Sequence, residues 1–145
     1  MTSPVLVDAN VPMYAVGTAH PLKRPCVDFL NAVARGEIVA LTDAEVLQEI
    51  LHRYSALGQR ARAIQVVQLF VKVVPVVLPI TFADITEALN IHNQYPKLQA
   101  RDSLHVAVMV NNGIQHIISA DRHFDTVHEV QRVDPSLWTQ LKIAL

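Results

Sequence analysis

Four acidic residues fall where a carboxylate is either costly or useful. Asp8 ends the apolar run Leu6-Val7 in VLVDAN (5–10), and Asp121 follows HIIS (116–119) within SADRHFD (119–125). Asp102 stands in the opening turn of ARDSLHVAV (100–108), and Glu49 lies within VLQEILHRY (46–54). A charge taken out of water is expensive unless it is neutralised or hydrogen-bonded. Carboxylates gathered at one point would repel unless a cation sat between them. An all-oxygen set suits hard Mg²⁺ or Mn²⁺, which keep several waters and leave positions for phosphate oxygens.

Each acid also has a simpler use. Asp8 can brace the turn before Pro12, Asp102 can face a helix N-terminus, and Asp121 can form an Asx turn. Glu49 precedes Arg53 by four residues, an ordinary surface pair worth roughly 0.2–0.5 kcal/mol. Taken singly, each is more readily structural than chemical. Their joint placement in the fold decides between the readings.

Two kinds of segment alternate along the chain. Short β-branched runs occur at PVLV (4–7), IVALT (38–42), VVPVVLPI (73–80), HIIS (116–119) and EVQRV (129–133). Helical spacing fills the stretches between them. From Pro21 to Arg35, Leu22, Val27, Leu30 and Val33 form an apolar face, with Gly36 as the C-terminal cap. From Asp43 to Leu57 the stripe is Val46, Leu47, Ile50, Leu51 and Tyr54, and Gly58 follows. Thr81 and Asp84 have capping-box spacing and open a helix that Pro96 ends. Another helix carries RDSLHVAVMVNN as far as Gly113, and a last short one follows Pro135.

This order predicts an α/β protein, a three-layer α/β/α sandwich around a mainly parallel sheet of about five strands. In such sheets ligands collect beyond the carboxyl ends of the strands, where strand order reverses. Asp8 and Asp121 would emerge side by side if the first and fourth strands were neighbours. No repeat, linker or low-complexity tract interrupts the 145 residues, so a single domain over 1–145 is expected.

Composition narrows the function classes. With 51% apolar and 17% charged residues, disorder is excluded. The net charge of -1 gives no blanket attraction to nucleic acid or to an anionic membrane. Lys23, Arg24, Arg53, Arg60, Arg62, Arg101 and Arg122 are the candidates for local phosphate contact, and a solvated face is the simpler reading for each. A single Cys26 excludes an intrachain disulfide and a cysteine zinc site, which suits a reducing cytoplasm. The apolar stretch 63–80 is broken by Gln65, Gln68, Lys72, Pro75 and Pro79, so it reads as a helix running into a strand rather than a membrane span. A soluble, cytoplasmic protein is expected.

The seven histidines show no HExxH spacing. His105, in an apolar helix, reads as a satisfied packing residue. Trp138 and the tyrosines suggest no base-stacking platform.

With these residues in view, the chain resembles the PIN-domain nucleases, and within them the VapC-type toxins of toxin–antitoxin pairs. VLVDAN resembles the family's first acidic motif and VLQEILHRY its Glu-bearing helix. ARDSLHVAVMVNNGI (100–114) is similar to the third motif and HIISADRHFD (116–125) to the fourth, with Phe124 packing behind Asp121. Ser119 stands where Thr is common, and Asp125 is an extra acid that some members carry. Glu45, four residues before Glu49 on the same face, competes with it for the functional place.

The resemblance implies a Mg²⁺-dependent endoribonuclease, with Mn²⁺ a possible substitute, whose products carry a 5′-phosphate and a 3′-hydroxyl. By that implication Asp8, Asp102, Asp121 and Glu49 are the catalytic and metal-holding acids. Asn10 and Ser119 would orient the carboxylates, with Asp125 auxiliary. A VapB-type antitoxin and a homodimer are the implied partners, with no membrane. Two other classes compete: a silent PIN-like module that binds RNA or protein, and a phosphoacceptor domain. The second lacks support, because Asp8 has no acidic neighbour and no Lys follows EVQRV until Lys142.

Overall fold

The computed structural model describes residues 4–142. Five strands form its sheet: β1 (Val5–Val7), β2 (Ala40–Asp43), β3 (Val77–Leu78), β4 (His116–Ile118) and β5 (Gln131–Val133). All pairings are parallel and the order is β3-β2-β1-β4-β5, so β1 and β4 are neighbours. Val5 stands opposite both Ala40 and His116, and Val7 opposite Ile118. The chain starts in the centre and builds outward on both sides, which sets the reversal of strand order between β1 and β4.

Six α-helices cover the sheet: α1 (Asn10–Val16), α2 (Lys23–Ala34), α3 (Ala44–Ala56), α4 (Arg60–Val73), α5 (Phe82–Gln94) and α6 (Ala100–Asn111). Two 3-10 helices, Arg122–Thr126 and Pro135–Leu141, follow β4 and β5. The strand period of two splits the core. Val5 and Val7 point to one side and pack with Val11, Phe29, Ile50 and Phe70 from α1 to α4. Leu6 points to the other and packs with Ile91, Val106, Met109 and Ile117, beneath α5 and α6. The expected three layers are present, and both faces of the sheet are dry.

Local signals account for most element ends. Thr81 and Asp84 make the expected capping box: Asp84 N–H donates to Thr81 Oγ1 at 3.3 Å, and Thr81 N–H to Asp84 Oδ2 at 2.9 Å. Gly36 adopts φ +78° just past α2, where its N–H reaches Val33 O at 2.9 Å.

Several expectations are corrected. The fully buried residues of α2 are Cys26, Phe29 and Ala32, while Leu22, Leu30 and Val33 pack at the margin of that core. The helix must face both α1 and the last 3-10 turn, which shifts the buried stripe by about one residue. In α3, Leu51 is 40% exposed, and the buried set is Val46, Ile50 and Tyr54. The run 73–80 supplies only a two-residue edge strand, since Val73 still belongs to α4. The segment after Asp8, read as a turn before Pro12, is the short helix α1. Pro12 is tolerated there because the N–H groups of a first turn need no intrahelical partner. Among the described residues, no helix is long and apolar enough to cross a membrane.

A candidate metal centre at the carboxyl ends of the strands

Asp8 immediately follows β1, and its position is fixed by the end of the neighbouring β4 and by the start of α1. Its N–H donates to Ile118 O at 3.1 Å. Its Oδ1 accepts from Ala9 N at 2.8 Å, and its Oδ2 accepts from Ser119 Oγ at 2.6 Å and Asn10 Nδ2 at 3.1 Å. Asn10 also donates to Ser119 Oγ at 3.0 Å and accepts from Ala120 N at 3.0 Å, tying the start of α1 to the end of β4. Asp8 is only 4% exposed. Burial raises its pKa above the usual carboxylate value, with Glu49 adding to this and His105 and Ser119 opposing it.

Glu49 is delivered by α3. Asp43, the last residue of β2, caps that helix through Oδ1, which accepts from Val46 N at 2.9 Å. Burial pushes the Glu49 carboxyl up, but His105, Arg101 and Arg53 outweigh it and hold the group below its ordinary value. Arg53 Nη1 lies 3.5 Å from Glu49 Oε2, the expected pairing four residues apart, and Arg101 Nε lies 3.8 Å from Glu49 Oε1. Glu45 faces away into a neighbouring, mostly apolar groove, where it meets Arg101 Nε at 3.3 Å.

Asp102 lies in the first turn of α6 and is 8% exposed. Burial, together with the charges of Asp8 and Asp121, pushes its pKa up to about 7 against the pull of His105. Asp121 caps the 3-10 helix by accepting from His123 N at 2.9 Å, so the Asx-like turn and a place in the site coexist in one side chain. Its N–H donates to Ser119 Oγ at 3.0 Å. Phe124, fully buried, packs in the core below.

These acids share one cleft of about 560 Å³, with Asp8, Glu49, Asp102 and Asp121 on its walls together with Asn10 and Arg101. Ligand atoms of Asp8, Glu49 and His105 lie within 4.8 Å of one another, as do those of Asp102, Asp121 and His123. Asp125 does not line the cleft. Its carboxylate is held by Arg132, with Nε to Oδ1 at 2.8 Å and Nη2 to Oδ2 at 3.1 Å.

Sequence reasoning missed two features. His105 is not a satisfied packing residue: Nδ1 meets Asp43 Oδ2 at 2.7 Å, but Nε2 is buried with no hydrogen-bond partner and lies 4.0 Å from Glu49 Oε1. Burial alone would lower its pKa, yet Asp43, Glu49 and Asp8 raise it well above the ordinary histidine value. Tyr14 also lines the cleft and stacks on His20, ring centroids 4.5 Å apart. Its four-residue spacing from Asn10 would have placed both on one helix face, had α1 been recognised.

The fold and the convergent acids define a class, and comparison with known proteins agrees. The model of the PIN domain family matches residues 5–130, and the chain belongs to that family. It is 41% identical to ribonuclease VapC13 of Mycobacterium tuberculosis over 129 residues, covering 89% of this chain and 98% of that protein. Identity to ribonuclease VapC23 of the same species is 35% over 117 residues, covering 81% of this chain and 92% of the relative. Among solved structures, the fold is similar to M. tuberculosis VapC20, a sarcin–ricin-loop-cleaving toxin, with TM-score 0.71 at 18% identity over 87% of this chain and 96% of that one. It is also similar to a chain of DNA-bound VapBC from Salmonella typhimurium, with TM-score 0.70 at 14% identity over 93% and 99%.

Proposed function

We infer that this chain is a divalent-metal-dependent endoribonuclease acting as the toxin of a toxin–antitoxin pair. The observation that carries the reading is the convergence of Asp8, Glu49, Asp102 and Asp121 on one cleft, in a PIN-family chain whose similar proteins are named ribonucleases. The donor set fits a cation. It offers carboxylate oxygens from four acids, and burial above all, with like charge from neighbouring carboxylates added, raises the pKa values of Asp8 and Asp102.

Oxygen donors favour Mg²⁺, with Mn²⁺ as substitute. Asp8, Asp102 and Asp121 are the residues to hold the main ion, and Glu49 either joins a second or orients the attacking water. Held there, a cation would supply Lewis acidity to the phosphodiester and lower the pKa of a coordinated water so that hydroxide is available near neutral pH. The chain's own groups do the rest. Ser119 Oγ and Asn10 Nδ2 donate to Asp8 and fix which lone pairs face the cleft. Glu49, kept ionised by His105, Arg101 and Arg53, accepts a hydrogen bond from water and aims it. Arg53 and Arg101 stand at the rim where flanking phosphates would lie.

The similarity to a chain of a solved, DNA-bound VapBC supports an antitoxin as partner. The exposed stripe Phe82, Ile85 and Leu89 on α5 leaves apolar surface for association with a second protein chain, as a homodimer would need.

The test is RNA cleavage with mapped ends. Wild-type protein is expected to cut RNA at discrete sites with Mg²⁺ or Mn²⁺, and Asp8→Asn and Asp102→Asn are expected to abolish cutting while remaining folded. Undiminished cleavage by both variants, in preparations free of contaminating nuclease, would overturn the reading.

A further inference from the structure

A nearly neutral chain must hold RNA without much phosphate attraction. Several of the cations near the cleft already hold partners within the chain, Arg24 and Arg53 through pairs at the surface. Lys23 Nζ donates to Ala15 O at 3.3 Å and Gly17 O at 2.5 Å, and Arg62 Nη2 to Val16 O at 2.6 Å. Arg24 pairs with Asp28, Arg53 with Glu49, and Arg101 with Glu45. Affinity for a single strand then draws on contacts to the bases as well as on the few phosphate contacts available.

Such a contact surface lies beside the acids. A second cavity of about 300 Å³ opens next to the acidic cleft and shares Asn10, Tyr14 and Arg53 with it. Its wall is the Tyr14–His20 pair, whose rings stack at 4.5 Å with an interplanar angle of 28°. The pair is built rather than incidental. His20 Nδ1 accepts from Leu22 N at 3.0 Å, which leaves the hydrogen on Nε2 as a donor and orients the ring. The loop between α1 and α2 is held from behind by the Lys23 and Arg62 contacts to three successive carbonyls. Arg53, on the boundary between the two cavities, is placed to meet the phosphate that joins a nucleotide in one to a nucleotide in the other.

We propose that the Tyr14–His20 cavity is a subsite for one unpaired nucleobase of the RNA strand, adjacent to the phosphate cut in the acidic cleft. The subsite rests on the ribonuclease reading and adds to it the place where the base next to the cut would sit. A base inside a duplex is already stacked and paired, so a helical substrate cannot reach this wall without opening.

The experiment uses the full chain carrying Asp8→Asn, which binds without cutting, and a labelled pool of short single-stranded RNAs of random sequence. Adding Tyr14→Ala or His20→Ala is expected to weaken binding by roughly tenfold each, the scale of one lost base stack. Tyr14→Phe, which keeps the ring, should bind within about twofold of the parent. The losses should persist as salt is raised, because stacking releases no counterions. The same pool annealed into duplex should bind more weakly and ignore all three changes. Thermal unfolding of each variant checks that the fold is kept, and exposed His20 provides a readout independent of half-buried Tyr14. Equal binding by the Tyr14→Ala and His20→Ala proteins, alongside a wild type that still cuts RNA, would overturn the subsite and leave the ribonuclease standing. Failure of the wild type to cut any RNA, together with failure of Asp8→Asn to bind the pool, would overturn both.

Discussion

His105 is held by Asp43 at 2.7 Å through Nδ1, while its Nε2 lies 4.0 Å from Glu49 Oε1 with no other polar partner. The same Asp43 caps the helix that carries Glu49. One carboxylate at the end of β2 therefore fixes both the acid's backbone and the imidazole beneath it. Replacing His105 by Ala leaves Asp43 as an uncompensated charge with no solvent access, and is expected to cost roughly 3–5 kcal/mol in urea unfolding. A double-mutant cycle with Asp43→Ala should show strong coupling, the double variant losing less than the sum of the singles.

Ser119 Oγ donates to Asp8 and accepts from the Asp121 backbone, so it registers two acids against each other. Ser119→Ala is expected to weaken Mn²⁺ binding about 10–100-fold, measured by metal titration. Ser119→Thr keeps the hydroxyl and should retain affinity. Loss in both variants would point to steric crowding rather than to the donor.

Asp102 is crowded by Asp8 and Asp121, and removing its charge relieves that repulsion. Asp102→Asn should raise the melting temperature of the metal-free protein by a few degrees, about 1 kcal/mol, while abolishing cleavage. A variant that loses both stability and activity would contradict the repulsion account.

The pH dependence follows from the same groups. Asp102 has its native pKa pushed up from 3.8 to about 7, so the folded state holds this proton more tightly than the unfolded one. The stability it contributes is full below pH 3.8 and is lost as pH rises toward 7. Asp8, also raised, acts in the same direction, and His105, raised above 6.5, extends the loss to higher pH. Glu49, lowered from 4.5, acts oppositely and only at acid pH. In EDTA the melting temperature should therefore fall between about pH 5 and 7, and saturating Mg²⁺ should flatten that slope. A metal-free protein that gains stability over this window would refute the assignment.

Glu45 and Glu49 are separable by activity. Glu49 faces the cleft and Glu45 faces the neighbouring groove. Glu49→Gln is expected to reduce the cleavage rate by about a hundredfold or more, and Glu45→Gln by less than tenfold. Single-turnover cleavage rates measure both.

Asp8 and Asp121 were legible because their positions follow from strand ends, which apolar runs mark plainly. Asp8 and Asp121 needed only the adjacency of β1 and β4, and the Thr81–Asp84 cap needed only local spacing. His105 was not legible. Its neighbours in LHVAVMV are all apolar, and its partner Asp43 lies 62 residues away at the end of β2. Tyr14 was hidden by Pro12, which reads as a helix breaker unless the first turn begins just before it. The buried stripe of α2 was shifted because adjacent stripes on an amphipathic helix differ only in what packs against them. Local rules locate elements, whereas long-range contacts decide which face and which ring nitrogen matters.

Asp8 and Ser119, which orients it, are separated by 111 positions along the chain. A growing polypeptide that has emerged only through α6 carries Asp8, Glu49 and Asp102 but lacks β4 and, beyond it, Ser119 and the fourth acid, Asp121. The cleft is therefore completed only when β4 and Asp121 join the elements that precede them.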